Sequence, residues 1–273
     1  MLVSKDGMHI FEIRFPGTSL DYPEEESRPL VHIILHLLEA QFTDAVIALN
    51  FFEREQARAF DNLQERAQAG VSEEEEELTQ ALEGYRKELG DEAFFQMYPA
   101  ILDAIELEMR KQRWESGWES GKVPQEYQTH LPFIFAHAYV YALDSFQKIL
   151  KRLVHEPGVP HAVDEALERF KTAFPVLKGV RDSAHHIEDR GRGLDRHGKP
   201  LDLKPLYNRI AYAPSGGVLL LSILRGNNLG YTLEDGSYGE IAVSRENTEE
   251  VAAIFQVVID AFPWKGRPRQ ITC

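Results

Sequence analysis

Cysteine is nearly absent: the chain carries one, Cys273, as its last residue. A single thiol builds neither an intrachain disulfide framework nor a cysteine-based metal site, and it suits a reducing compartment. Positive charge is also scarce. Thirty Lys and Arg stand against 44 Asp and Glu, a formal net charge of −14. Such a surface repels phosphate backbones at long range and excludes an extended, nonspecific nucleic-acid binder. Long apolar runs are missing too. "LVHIILHLLEA" and "LPFIFAHAYVYAL" contain histidines and are too short to span a bilayer. The opening "MLVSKDGMHIFEIRFPG" has no signal-peptide core. No Gly-x-Ser-x-Gly elbow, GK[ST] loop or GxGxxG fingerprint occurs. The expectation is a soluble, cytoplasmic protein with no cofactor, no resident metal and no membrane partner.

What is present is helical periodicity. Residues 1–25 read as an extended lead-in with a short strand in "MHIFEIRF". Leu30, Ile33, Ile34, Leu37, Leu38 and Phe42 then recur at three- and four-residue spacing, continued by Val46, Leu49 and Phe52. No Gly or Pro interrupts the pattern from there to Gly70, so one long helix or two collinear ones are expected. A second helix starts at Ser72, a candidate N-cap, and its five-glutamate run suits the positive helix end. A third spans about 91–114, with Phe94, Phe95, Ile101, Ile105 and Met109 inward and Pro99 as a possible kink. A linker is expected over 115–130. Two more helices follow, the last interrupted around Pro175 and Gly179. After Pro205 the pattern alternates: "LYNRIAYA" and "GGVLLLSIL" read as strands, and "GYTLEDGSYGEIAVS" as a hairpin turning at Asp235-Gly236. A final helix covers about 248–262. The fold class predicted is mainly α: a helical bundle at 26–195, then a small antiparallel β appendage and C-terminal helix at 196–273, with that helix covering the sheet.

The chemically richest stretch is "GVRDSAHHIEDRGRG", Gly179–Gly193. Arg181 is followed by Asp182, and His186 comes four residues beyond Arg181's neighbour. This arrangement resembles the motif of the HEPN superfamily, in which an arginine, often followed by Asn, Asp or His, precedes a histidine by a few residues on a late helix of a bundle. The resemblance implies a homodimer carrying two copies of the motif into one cleft, and in many members a metal-independent ribonuclease. Arg181 and His186 would then be catalytic, with Asp182 and His185 supporting. Histidine supplies a proton donor or acceptor near neutrality; arginine supplies a planar fork for the charge developing on phosphorus. Arg190, Arg192 and Arg196 are candidate phosphate contacts. Between Arg181 and Arg209 there are seven Lys and Arg against five Asp and Glu, a local positive balance in an acidic chain. "RGLDRH", Arg192 to His197, has similar spacing but a glycine after the arginine.

Other readings of the same residues stay open. On a regular helix, positions five apart lie about 140° from each other, so Arg181 and His186 meet only through a bend or a second subunit. The cluster also reads as a salt-bridged helix end, and the chain as a noncatalytic interaction or ligand-binding protein. His185, His186, Glu188 and Asp189 have ligand chemistry but share one short segment. His32 and His36 have helical ligand spacing without the Glu of a zinc-protease motif; the core edge is their expected place. His137 reads as a satisfied core histidine. A homodimer is expected through the apolar faces around Leu38 and Tyr139.

Overall fold

The computed structural model describes residues 2–3, 8–69, 72–121, 125–207 and 210–273. Four short strands lead: β1 (Leu2–Val3), β2 (His9–Ile10), β3 (Glu12–Phe15) and β4 (Ser19–Leu20). Seven helices follow: α1 (Arg28–Ala69), α2 (Ser72–Leu89), α3 (Asp91–Glu119), α4 (Gln125–Val154), α5 (His161–Ala173), α6 (Leu177–His185) and α7 (Ile187–Gly191). Then come β5 (Leu206–Tyr207), β6 (Tyr212–Ala213), β7 (Ile223–Arg225), β8 (Asn228–Thr232) and β9 (Tyr238–Ala242). The chain ends with α8 (Arg245–Asp260), β10 (Trp264–Lys265) and β11 (Arg269–Thr272). The protein is mainly α with small antiparallel sheets, as the periodicity predicts.

The chain divides into two compact units, residues 1–53 with 133–273, and residues 54–132. The boundaries fall inside α1 and α4, the second of them at Pro132. The smaller unit is built on α2 and α3, with Phe94, Ile101 and Ile105 packed against Leu78, Leu82 and Met109. Phe95, expected inward, is exposed; its ring lies edge-on to Phe94 at 5.5 Å and under Arg86. α3 passes through Pro99 and continues to Glu119, into the expected linker. The capping side chain of Ser72 lies outside the described residues.

The larger unit holds the main core. α1 contributes Val31, Leu35, Leu38, Phe42, Leu49 and Phe52, and α4 contributes Tyr139, Leu143, Phe146 and Leu150. Phe170 of α5 and Phe255 of α8 close on Phe146, with ring centroids at 5.6 and 5.8 Å. The Arg28–Asp61 stretch of α1 is long and apolar enough to cross a bilayer by length and composition, but its core-facing stripe is consumed here. Leu38 and Tyr139, expected at a dimer face, are fully buried.

Both chain ends meet in this unit. β3 pairs antiparallel with β11, Ile13 opposite Ile271, and β4 with β10, Leu20 opposite Trp264. β7, β8 and β9 form a three-stranded antiparallel sheet. Its hairpin turns at Asp235-Gly236, where Gly236 takes φ of 80° and its N–H donates to Leu233 O at 3.0 Å. Most of "GGVLLLSIL" is not strand. Gly216 and Gly217 have φ of 76° and 91°, and Leu220 is held through Thr232 by both its N–H and its C=O. α6, rather than α8, packs on β8 and β9; α8 packs on α5 and β3. Gly179 causes no break. It sits within α6 where a Cβ would come within 3.1 Å of Leu233, so it allows a close helix–hairpin approach.

Candidate functional site

α6 is amphipathic over two turns: Leu177 and Val180 are buried in the core, and Arg181 comes out beside them. Its guanidinium meets α4. Arg181 Nε lies 3.0 Å from Asp144 Oδ2, and Nη1 lies 2.7 Å from Asp182 Oδ1. Lys148 Nζ reaches the same Asp144 oxygen at 2.7 Å. The Asp144 side chain is 5% exposed and that of Arg181 16%. Arg181 Nε points no hydrogen at a partner, so its contact with Asp144 is charge on charge rather than an aligned hydrogen bond. Two cations and two carboxylates balance. A phosphate approaching Arg181 meets two carboxylates already in place.

His186 stands elsewhere. It ends α6 with φ −106° and ψ 43°, its N–H donating to Asp182 O at 3.0 Å. Its half-exposed ring packs edge-on against His185, centroids 5.0 Å apart, and its Nδ1 is 3.9 Å from Glu188. The helix break thus replaces the α-helical relation between Arg181 and His186 without joining their side chains by a described contact. Asp182 pairs with Arg181; exposed His185 touches His186. His186, Glu188 and Asp189 each bring a ligand atom within 4.8 Å of the others, all from one exposed turn.

Of the three candidate phosphate contacts, Arg190 is interior. It is 1% exposed, donating from Nη1 to Leu194 O at 2.7 Å and facing Ser183 Oγ at 3.4 Å. The segment after α7 doubles back over it, with Leu201 N–H bonded to Gly193 O; a charged residue next to glycines gives no sequence sign of this. Arg192 is exposed, 3.9 Å from Asp189. Arg196 is paired with Glu234 at 2.9 Å. Among the described residues of 181–204, most of the positive charge is therefore paired with intramolecular carboxylates and carbonyls.

Beside Arg181 lies a polar chain that sequence reasoning missed. His137 Nδ1 donates to Phe133 O at 2.7 Å, which leaves Nε2 to accept from Tyr231 OH at 2.5 Å. The Ser222 hydroxyl bonds the Tyr231 oxygen in turn. Burial raises Tyr231 above its ordinary range, against that bond, and lowers His137, against the Phe133 carbonyl. Tyr141 is raised by burial, opposed by Arg181 and supported by Asp144. Ser222 takes φ of 50°, a region non-glycine residues seldom occupy. The chain can relay a proton from Ser222 to His137 in principle, yet Tyr231 is wholly buried, which makes it an interior lock between α4 and the sheet. His137 is the satisfied histidine expected; Ser222 and Tyr231 carried no motif.

Between α1 and α4 runs a groove of about 320 Å³ lined by Ile47, Ala48, Phe135, Ala138, Tyr141 and Ala142, with Gln41, Asp44 and Ser145 as its polar residues. Leu30, Ile33 and Leu37 continue the exposed apolar face along α1.

Scans against protein-family models, curated proteins and solved structures return no match for this chain.

Proposed function

We propose that this protein works by binding rather than by cutting RNA, and that its first partner is a second copy of itself. The observation that carries the reading is the pairing of Arg181 with Asp144 and Asp182. A metal-independent ribonuclease needs that guanidinium free to meet phosphate and near the histidine that moves the proton. Here its charge is neutralised within the fold, while His186 faces His185 and Glu188.

The exposed face of α1 supports self-association. Leu30, Ile33, Leu37, Ala40, Asp44, Ile47 and Phe51 are spaced alternately by three and four, a heptad seam on the side away from the core stripe. An antiparallel pair of such helices about a two-fold axis near Ala40 sets Leu30 and Ile33 of each copy along the groove end of the other, an isologous contact. The area suffices. Leu30, Ile33, Leu37, Ile47, Ile134 and Tyr141 are between 38% and 58% exposed, leaving on the order of 500 Å² of apolar surface. A stable interface takes about 800 Å² per partner, somewhat more than half of it apolar. The test is the association state of the full chain and of an Ile33→Glu/Ile134→Glu variant. A wild type that stays monomeric, or binds lipid vesicles through this face instead, overturns the reading.

A further inference from the structure

A second concavity lies where the chain ends meet α1. It is a cavity of about 250 Å³ lined by Phe15, Thr18, His32, His36, Trp264 and Arg269. The β3–β11 and β4–β10 ladders bring Phe15, Thr18, Trp264 and Arg269 together from opposite ends of the sequence, and one turn of α1 supplies both histidines. In a chain of net charge −14, this pocket gathers one arginine and two imidazoles.

Arg269 and His36 share one carboxylate, while the His32 ring lines the cavity. The imidazoles of His32 and His36 meet edge to face with centroids 4.5 Å apart. Arg269 lies over the Phe15 ring at 3.9 Å and holds Glu39 at 2.9 Å; His36 Nδ1 reaches the same carboxylate at 3.3 Å. Glu39 is the carboxylate against Arg269, while Lys265 on the adjoining strand is paired with Asp21. The Trp264 indole N–H is spent on Ile259 O, so it offers the pocket only its ring. No protein hydrogen bond is formed by the His32 ring among the described residues. Burial lowers the His32 pKa, and His36 and Arg269 lower it further, so the ring gains its charge most readily when an anion is bound beside it.

We propose that this cavity binds a small organic anion, a carboxylate on a flat ring of benzoate size. The carboxylate sits on His32 with Arg269 behind it, and the ring lies along Trp264. A volume just under the usual range of roughly 300–1,000 Å³ for ligand pockets suits one ring and excludes a nucleotide. The proposal stands apart from self-association, since one is read by ligand titration and the other by mass.

The experiment is calorimetric titration of the full chain with sodium benzoate, benzamide and inorganic phosphate at about pH 6 and pH 8. An anion favours protonated His32, so benzoate should bind several-fold tighter at the lower pH. Benzamide should bind at least tenfold more weakly than benzoate, and phosphate likewise. His32→Gln, which breaks no protein hydrogen bond, should abolish the pH dependence and most of the affinity; Arg269→Gln should also weaken binding. No heat of binding from benzoate at pH 6 overturns the proposal. So does equal binding of benzoate and benzamide, which removes the charge recognition. Equal binding of phosphate and benzoate removes the ring recognition, and unchanged affinity in His32→Gln places any binding elsewhere.

Discussion

Arg181 and Asp144 join α6 to α4 across 3.0 Å, with the Asp144 carboxylate almost wholly out of solvent. Removing one partner of such a pair leaves a buried charge short of compensation, which costs more than the pair contributes. Lys148, itself half-exposed, reaches the same carboxylate and offsets part of the loss. We expect Arg181→Ala to lower stability by about 2 kcal/mol and His186→Ala to change it by less than about 0.5 kcal/mol. Thermal unfolding of both variants distinguishes a structural arginine from a surface one.

The same pair bears on chemistry. In excess EDTA the purified protein should leave single-stranded RNA intact above a no-protein control. A cleavage activity lost in both Arg181→Lys and His186→Ala would restore the ribonuclease reading and require the Asp144 pairing to open.

Burial holds the His137 imidazole below its ordinary value of 6.5. The unfolded chain therefore takes up this proton at a higher pH than the folded one. Stability from the neutral ring is complete above pH 6.5 and is lost as the pH falls through the lower, folded value. Melting temperature should fall between about pH 7 and pH 5, with a shallower slope in His137→Gln, whose amide does not titrate. An identical slope in the two proteins would remove His137 from the account.

Gly236 makes a separate prediction. Its φ of 80° disfavours any side chain, and a Cβ would stand 1.8 Å from the Asp202 carbonyl oxygen. Its own carbonyl accepts from Lys204 N–H at 2.9 Å, so the turn is pinned to the 202–204 segment. Gly236→Ala should destabilise by more than about 1 kcal/mol, read in a denaturant midpoint; the exposed Gly84, with nothing near its Cβ position, should tolerate alanine.

Legibility in the sequence followed the range of the interactions. The three- and four-residue spacing of Val31 to Phe52 reports a helix because its contacts repeat locally, and Asp235-Gly236 reports a turn because the conformation belongs to those residues. The pairing of Ile13 with Ile271 has no local signature, so the closure of the two chain ends was invisible, and with it the meeting of Arg269 and Trp264 with His32. At the candidate site the charged cluster was legible, but its state was not. Asp144 lies on another helix, one acid among many, and only the fold brings it to Arg181. Arg190 looked like surface because arginine usually is; the returning segment at Leu194–Leu201 buried it. The choice of Leu38 and Tyr139 for a dimer face failed for a related reason: α1 carries two apolar stripes, and sequence alone does not say which one the core takes.

Sedimentation velocity over a micromolar concentration series tests the central claim most directly. The wild type should run as a dimer of the 31.2 kDa chain, dissociating on dilution, while Ile33→Glu/Ile134→Glu runs as a monomer with an unchanged melting temperature. A wild type that is monomeric at every concentration, or a variant that still dimerises, would contradict it.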